Sequence, residues 1–98
     1  MVIYEVTAVV AAGLSGDFET YMRSEHIRDV VATGYFTGAS FFRASENRYR
    51  IRYKTRSDED LQHYIEREAP RLREEFTARF PEGVEVGREV WKEIERFR

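Results

Sequence analysis

The sequence predicts an α+β fold in which four antiparallel strands form one sheet and two helices cover one of its faces. Three observations lead to this prediction. The chain has 98 residues, which is enough for only one core. Segments rich in β-branched and aromatic residues alternate with amphipathic segments in the order β-α-β-β-α-β, and residues 48–56 alternate strictly between basic and uncharged side chains. Residues 1–98 are therefore expected to form a single domain.

The first strand and the first helix are predicted from residues 2–34. Residues 2–12 are rich in valine and carry apolar groups on both faces, which is typical of a central strand. Ser15 or Asp17 is expected to cap the helix that follows. Its apolar stripe changes sides at residues 25–26, so a kink or two short helical pieces are expected there. Gly34 is expected to end the second piece.

The next two strands are expected at residues 35–44 and 48–56, joined by a tight turn at residues 45–47. Phe36 and Phe42 are expected on one face of the second strand, with Tyr35 and Phe41 on the other. The third strand places its basic residues on one face and Tyr49, with the other uncharged residues, on the opposite face.

Residues 57–60 form a capping-box pattern that opens a long helix. An apolar stripe from Leu61 to Phe80 stays in phase through this helix, and Pro70 is expected to bend it without moving the stripe. Pro81 and Gly83 end the helix. A last strand starts at Val84, and residues 90–98 fit either a strand or a helical turn.

The order β-α-β-β-α-β is that of a ferredoxin-like sandwich, in which the first and third strands are central. Both helices lie on one face, so the other face would expose aromatic and apolar side chains from the first two strands. A contiguous patch of that kind predicts a homodimer in which two sheets pack face to face. The alternative is a monomer with a few exposed aromatic residues.

Two stretches of the sequence carry a family resemblance. The first is residues 21–30 (YMRSEHIRDV) with 33–36 (TGYF), and the second is residues 64–65, 69–75 (APRLREE) and 78–80 (ARF). The first stretch, together with the order of elements, resembles the dimeric α/β-barrel superfamily. The second is similar to a bacterial family within it that is known only as a domain of unknown function.

The resemblance implies the ferredoxin-like fold and pairing as a dimeric α/β barrel. The superfamily includes cofactor-free monooxygenases, lactone isomerases and accessory proteins of dechlorination pathways. The family pattern has histidine at the position of Glu68, proline at that of Arg28, and a neutral glutamine at that of Arg52. Functions that depend on those three positions are therefore not carried over to this chain.

A basic row on the third strand is the first candidate ligand-binding feature. Residues 43–56 hold six basic residues and one acidic residue, although the whole chain has a net charge of −2. If the tyrosine face meets the helices, Arg50 and Arg52 point into the space between the two sheets of the dimer. They would then bind an anionic ligand, or else pair with Glu5 or with the glutamates of the last strand.

His26 is the second candidate, because it lies at the change of phase beside an aromatic stripe. A histidine near an apolar cavity can act as a general base or bind an anion, and the alternative is a structural histidine bonded to backbone. His63 is expected to be exposed to solvent. The two histidines have no ligand spacing, so no metal site is expected, and the catalytic residues are not defined by the sequence.

Other classes of function are excluded by composition. The chain has no cysteine, hence no disulfide and no thiolate nucleophile. No phosphate-binding or dinucleotide motif is present, so no cofactor is expected. The short apolar run at residues 9–14 lacks the basic flank of a signal peptide, and no segment reaches about 20 apolar residues. A cytoplasmic protein without membrane contact is predicted.

The sequence leaves three candidate functions. The first is a homodimer that holds a small anionic or aromatic molecule between sheet and helices. The second is a cofactor-independent enzyme on the same scaffold, with His26 as its base. The third, RNA binding, is disfavoured because the chain is acidic overall and because the arginines and tyrosines of the third strand lie on opposite faces.

Overall fold

One four-stranded antiparallel sheet forms the centre of the fold. The computed structural model describes residues 1–45 and 47–98. The strands are β1 (Val2–Val10), β2 (Gly38–Ser45), β3 (Arg48–Thr55) and β4 (Val84–Lys92). Their order across the sheet is β2-β3-β1-β4. The predicted sheet, with the first and third strands at its centre, is therefore confirmed.

Two helical stretches connect the strands. The first comprises a short 3₁₀ turn (Ala12–Leu14), α1 (Ser15–Tyr21), a π-helical segment (Met22–His26) and α2 (Ile27–Ala32). The second comprises α3 (Asp58–Arg67) and α4 (Ala69–Arg79). Among the residues that the structure describes, no helix is both long and apolar enough to cross a membrane.

The strict alternation of β3 divides the sheet into two chemically different faces. Tyr49, Ile51, Tyr53 and Thr55 are buried against the helices, whereas the basic residues between them are exposed. Because directly paired residues lie on the same face of a sheet, the helix side also receives Tyr4 from β1 and Phe41 from β2. The face opposite the helices, called here the open face, carries the basic row.

The π-helical segment explains the change of phase in the first helical stretch. The amide of Ile27 donates to the carbonyl of Met22, five residues earlier, instead of four. This inserts one residue into the helix, so that side chains before and after the insertion reach the same core. Phe18 and Met22 are buried on one side of it, and Val30 is buried on the other. The predicted pair of short helical pieces is confirmed.

The second helical stretch keeps its predicted stripe but is broken rather than bent. Ser57 caps α3 as expected, its hydroxyl accepting from the amide of Asp60 at 3.1 Å. The helix then ends at Arg67, with Glu68 as its C-cap, and Pro70 lies in the first turn of α4. Because proline has no amide hydrogen to continue the helical ladder, the helix restarts at that point. Leu72 and Phe80 remain buried along the stripe.

Several predicted details of the first helical stretch and of the strand ends are wrong. Neither Ser15 nor Asp17 caps α1, because the helix already includes both and begins after Leu14. The first strand stops at Val10 because the chain turns into the 3₁₀ segment.

The second strand also differs from its prediction. It starts at Gly38 instead of residue 35, so Phe36 and Phe42 do not share a face. Phe36 is buried with Tyr4 and Tyr64 in the core, whereas Phe42 lies on the open face. The predicted turn at residues 45–47 includes Glu46, which lies outside the described residues, and residues 93–98 form neither strand nor helix.

Glycine is required at two turns, and this requirement is testable. Gly34 and Gly83 have φ angles of 89° and 85°, a region that costs other residues about 1–2 kcal/mol. A Cβ on Gly83 would also lie 2.6 Å from Leu14 Cδ1, whereas one on Gly34 or Gly13 would meet open space. We expect Gly34→Ala to lower the free energy of unfolding by about 1–2 kcal/mol and Gly83→Ala by at least as much.

Urea unfolding of the three alanine variants measures these differences. Gly13→Ala is the control, because Gly13 has neither a positive φ nor a close neighbour, and it is expected to leave stability unchanged or slightly raised. Equal stability of all three variants would contradict the assignment of left-handed backbone at the two turns.

Candidate functional site

A cavity lies between the helix-facing side of the sheet and the helices, and is called here the helix–sheet cavity. Its volume is about 40 Å³, which is room for two or three water molecules. Its base is apolar and includes the buried side chains of Phe18, Ile51 and Leu72. The residues with polar side-chain groups that line it are His26, Arg73, Arg88 and three tyrosines, Tyr4, Tyr53 and Tyr64.

His26 reaches this cavity because it is the last residue of the π-helical segment. Its ring centre lies 5.4 Å from that of Phe76 and 5.9 Å from that of Tyr21. Burial lowers the pKa of His26 below its ordinary value of 6.5, and the nearby charge of Arg88 lowers it further, whereas Asp29 and Glu75 act in the opposite direction. The imidazole is therefore neutral at pH 7 and can accept a proton.

Tyr53 and Tyr64, which line the cavity, keep their hydroxyl protons at neutral pH. Burial raises the pKa of Tyr53 and of Tyr64 above the ordinary value. The hydroxyl of Tyr4 accepts a hydrogen bond from Nη2 of Arg73 at 3.0 Å. The cavity therefore offers both hydrogen-bond donors and aromatic surface to a bound molecule.

Arg73 and Arg88 were not identified from the sequence, although both lie at positions that match the buried patterns. Arg73 is four residues after Ala69 and three before Phe76, which is the spacing of the apolar stripe in α4. Arg88 pairs with Val6 across the sheet and thus lies on the helix-facing side of β4. A charged residue at a position expected to be apolar is the signal that could have found them.

The basic row of β3 lies on the other side of the sheet. Glu5 is 7 % exposed and lies beneath two arginines, with its Oε1 3.3 Å from Nε of Arg50 and 3.7 Å from Nε of Arg52. Nε1 of Trp91 donates to Oε2 of the same carboxylate at 3.2 Å. Arg50 and Arg52 also line a groove of about 410 Å³ with Phe42 on the open face. Pairing with Glu5, one of the two alternatives, thus occurs within the chain.

The predicted site residues therefore lie in two places. His26 lines the helix–sheet cavity, whereas Arg50 and Arg52 lie on the open face. His63 is only partly exposed and packs edge-on against Tyr35, with ring centres 6.2 Å apart, instead of being free in solvent. Within residues 1–45 and 47–98, no group of three histidine or acidic side chains is placed to hold a metal ion.

Solved structures with the same fold are found at low sequence identity. A mutant form of SnoaB, a cofactor-independent oxygenase from Streptomyces nogalater, has a TM-score of 0.73 and 9% identity, over 97% of this chain and 95% of the other. The heme-degrader MhuD from Mycobacterium tuberculosis, with two hemes bound in its active site, has a TM-score of 0.73 and 17% identity over the whole of both chains.

A third similar structure is a dimeric ferredoxin-like protein from an uncultured marine organism. It has a TM-score of 0.72 and 12% identity, covering 100% of this chain and 99% of the other. At these identities the comparisons establish the ferredoxin-like fold. No curated protein matches the chain. A family model does match residues 1–94, and the chain therefore belongs to the family described as "Domain of unknown function (DUF4286)".

Proposed function

We propose that this chain acts as a single domain in a cytoplasmic homodimer, and that each protomer holds a small aromatic or anionic molecule in its helix–sheet cavity. One observation carries the proposal. The cavity combines aromatic walls with His26, Arg73 and Arg88, and none of the described residues that line it is acidic. A pocket that is mostly apolar and has a few convergent polar groups is typical of a small-molecule site.

The size of the cavity determines how such a molecule can enter. A volume of about 40 Å³ can hold the polar group of a small ligand but not a whole aromatic ring. The base of the cavity is rigid because Phe18, Ile51 and Leu72 are almost completely buried. His26 and Phe76 are only partly buried. We therefore expect these two side chains to move outward and to contact the ring.

Similar folds in other proteins support an aromatic ligand. MhuD is described with two hemes bound in its active site, and SnoaB is described as an oxygenase that needs no cofactor. The ferredoxin-like fold can therefore hold a planar aromatic molecule.

We expect small aromatic compounds to bind in the cavity of the wild-type protein. Phenol, benzoate and phenyl phosphate should each be titrated while the NMR signals of the Met22 methyl group and of His26 are followed, because both residues line the cavity. At least one compound should shift both signals and raise the melting temperature. If no compound in this set shifts either signal, the cavity is not the ligand site.

A pair of valines on β4 provides a matched control for this experiment. Val86 lines the cavity, whereas Val90, on the same side of the same strand, does not. Val86→Phe should fill the cavity and abolish binding, and Val90→Phe should leave binding unchanged. Equal effects of the two variants would place the binding site elsewhere.

The homodimer is proposed from the open face. Phe42 and Trp91 are 48% and 50% exposed there, beside the half-buried Ile3. The strands of this face also differ in charge, because β3 presents a basic row and β4 presents Glu85 and Glu89. A two-fold axis parallel to the strands and placed over β1 would bring β3 of one copy opposite β4 of the other, so the same face can meet itself with opposite charges opposed. The marine protein with this fold is described as dimeric.

We expect light scattering to give a mass near twice the protomer's 11.6 kDa. Phe42→Asp should halve the measured mass, because it places a charge in the apolar patch, and it should leave the circular dichroism spectrum unchanged. Thr77→Asp, on the exposed side of α4, is the control and should remain dimeric. A monomeric wild-type protein at micromolar concentration would refute the dimer.

A cofactor-independent enzyme is the second candidate, and the position of His26 favours it. A general base must be neutral at the working pH and must reach the bound molecule. His26 lines the cavity, and burial lowers its pKa. In this alternative His26 removes a proton from the substrate, and His26→Ala abolishes turnover without lowering the melting temperature.

The lowered pKa of His26 also makes stability depend on pH. The unfolded chain binds a proton near pH 6.5 and the folded chain binds it only at lower pH, so the free energy of unfolding should fall as the pH decreases below about 6.5. His26→Asn should remove this part of the pH dependence, and His63→Asn should retain it. An NMR titration that gives His26 a pKa of 6.5 or higher would contradict the predicted effect of burial.

A further inference from the structure

Two arginines from different elements face the same cavity. Arg73 comes from α4 and Arg88 from β4, and both line the helix–sheet cavity. We propose that they bind the carboxylate of a small aromatic acid, whose ring packs against the aromatic side chains of the cavity wall. This inference rests on the proposed function of the cavity, and it specifies the chemical class of the ligand and its orientation.

Arg73 provides the strongest support for an anion-binding site. Its Nη2 donates to the hydroxyl of Tyr4 at 3.0 Å, which fixes the guanidinium at the wall. Its Nε is buried and, among the described residues, has no hydrogen-bond acceptor. A guanidinium N–H removed from water without an acceptor is unfavourable, so this group favours a ligand that provides one.

Arg88 adds a second positive charge to the same space. Its side chain projects from the helix-facing side of β4, opposite Val6. Its charge lowers the pKa of His26 and opposes the rise in the pKa of Tyr64, so its electric field reaches across the cavity. Within residues 1–45 and 47–98, neither Arg73 nor Arg88 takes part in an ion pair.

The composition of the wall selects a carboxylate attached to an aromatic ring. A carboxylate is planar, carries one negative charge and accepts paired hydrogen bonds from a guanidinium, and it fits a cavity of about 40 Å³ better than a larger phosphate dianion. The protonated hydroxyl of Tyr64 can donate to the same oxygens. The ring would then lie toward His26 and Phe76, whose rings already pack together.

Benzoate and its uncharged analogue benzyl alcohol test this inference in the full-length wild-type protein by isothermal titration calorimetry. Benzoate should bind about tenfold more tightly, or better, because a charged hydrogen bond is added. Arg88→Met should weaken benzoate binding about tenfold and leave benzyl alcohol binding unchanged. Arg88 is exposed on an edge strand, so this variant should fold normally.

Arg73→Met should have the same selective effect and additionally releases the hydroxyl of Tyr4, so its melting temperature is measured in parallel. Arg79→Met, also on α4 but stacked on Phe80 outside the cavity, is the control and should bind both compounds like the wild type. Selective loss in Arg88→Met, with no loss in Arg79→Met, supports the carboxylate site even if Arg73→Met is unstable.

Three outcomes would overturn the inference, and they are distinguishable. Equal binding of benzoate and benzyl alcohol would retain the cavity as a ligand site but remove the carboxylate. If phosphate and acetate compete with benzoate equally well, the cavity is a general anion site with no preference for aromatic acids. If neither benzoate nor benzyl alcohol binds, the proposed function of the cavity is refuted together with the inference.

Discussion

The two-residue period of β3 is the constraint on which the rest of the structure depends. Side chains along a strand must alternate between faces, so the chain cannot bury Tyr49 and Tyr53 without pointing Arg50 and Arg52 to the opposite side. The helices cover the tyrosines, and the arginines lie at the centre of the open face. A buried carboxylate, Glu5, then compensates the positive charge of that face.

Most of the fold could be predicted from the sequence because its signals are local. The alternation of β3, the capping box at Ser57 and the change of phase before Ile27 each correspond to an observed feature. The start of β2 could not be predicted in this way. Phe36 is an aromatic residue of the kind found in strands. Its burial among Tyr4 and Tyr64 depends on tertiary packing, which a local sequence pattern does not indicate.

The candidate site was less predictable, because the sequence does not specify which charged residues share a cavity. His26 could be singled out by its place at the change of phase. Arg50 and Arg52 form a separate candidate because the alternation of β3 places them on the face opposite the tyrosines, and the sheet lies between them and His26. Arg73 lies at a position of the apolar stripe of α4 but is charged, so the apolar pattern does not identify it.

The departures from regular structure concentrate on one side of the sheet. The π-helical segment ends at His26, α4 restarts before Arg73, and the helix-facing side of an edge strand carries Arg88. All three residues line the same cavity. Inserted helical residues and charged groups at apolar positions lower stability unless something compensates them, and proteins accept such costs chiefly at functional sites. The open face also carries a buried charge, Glu5, but there the compensation lies within the chain, because Arg50 and Arg52 pair with its carboxylate.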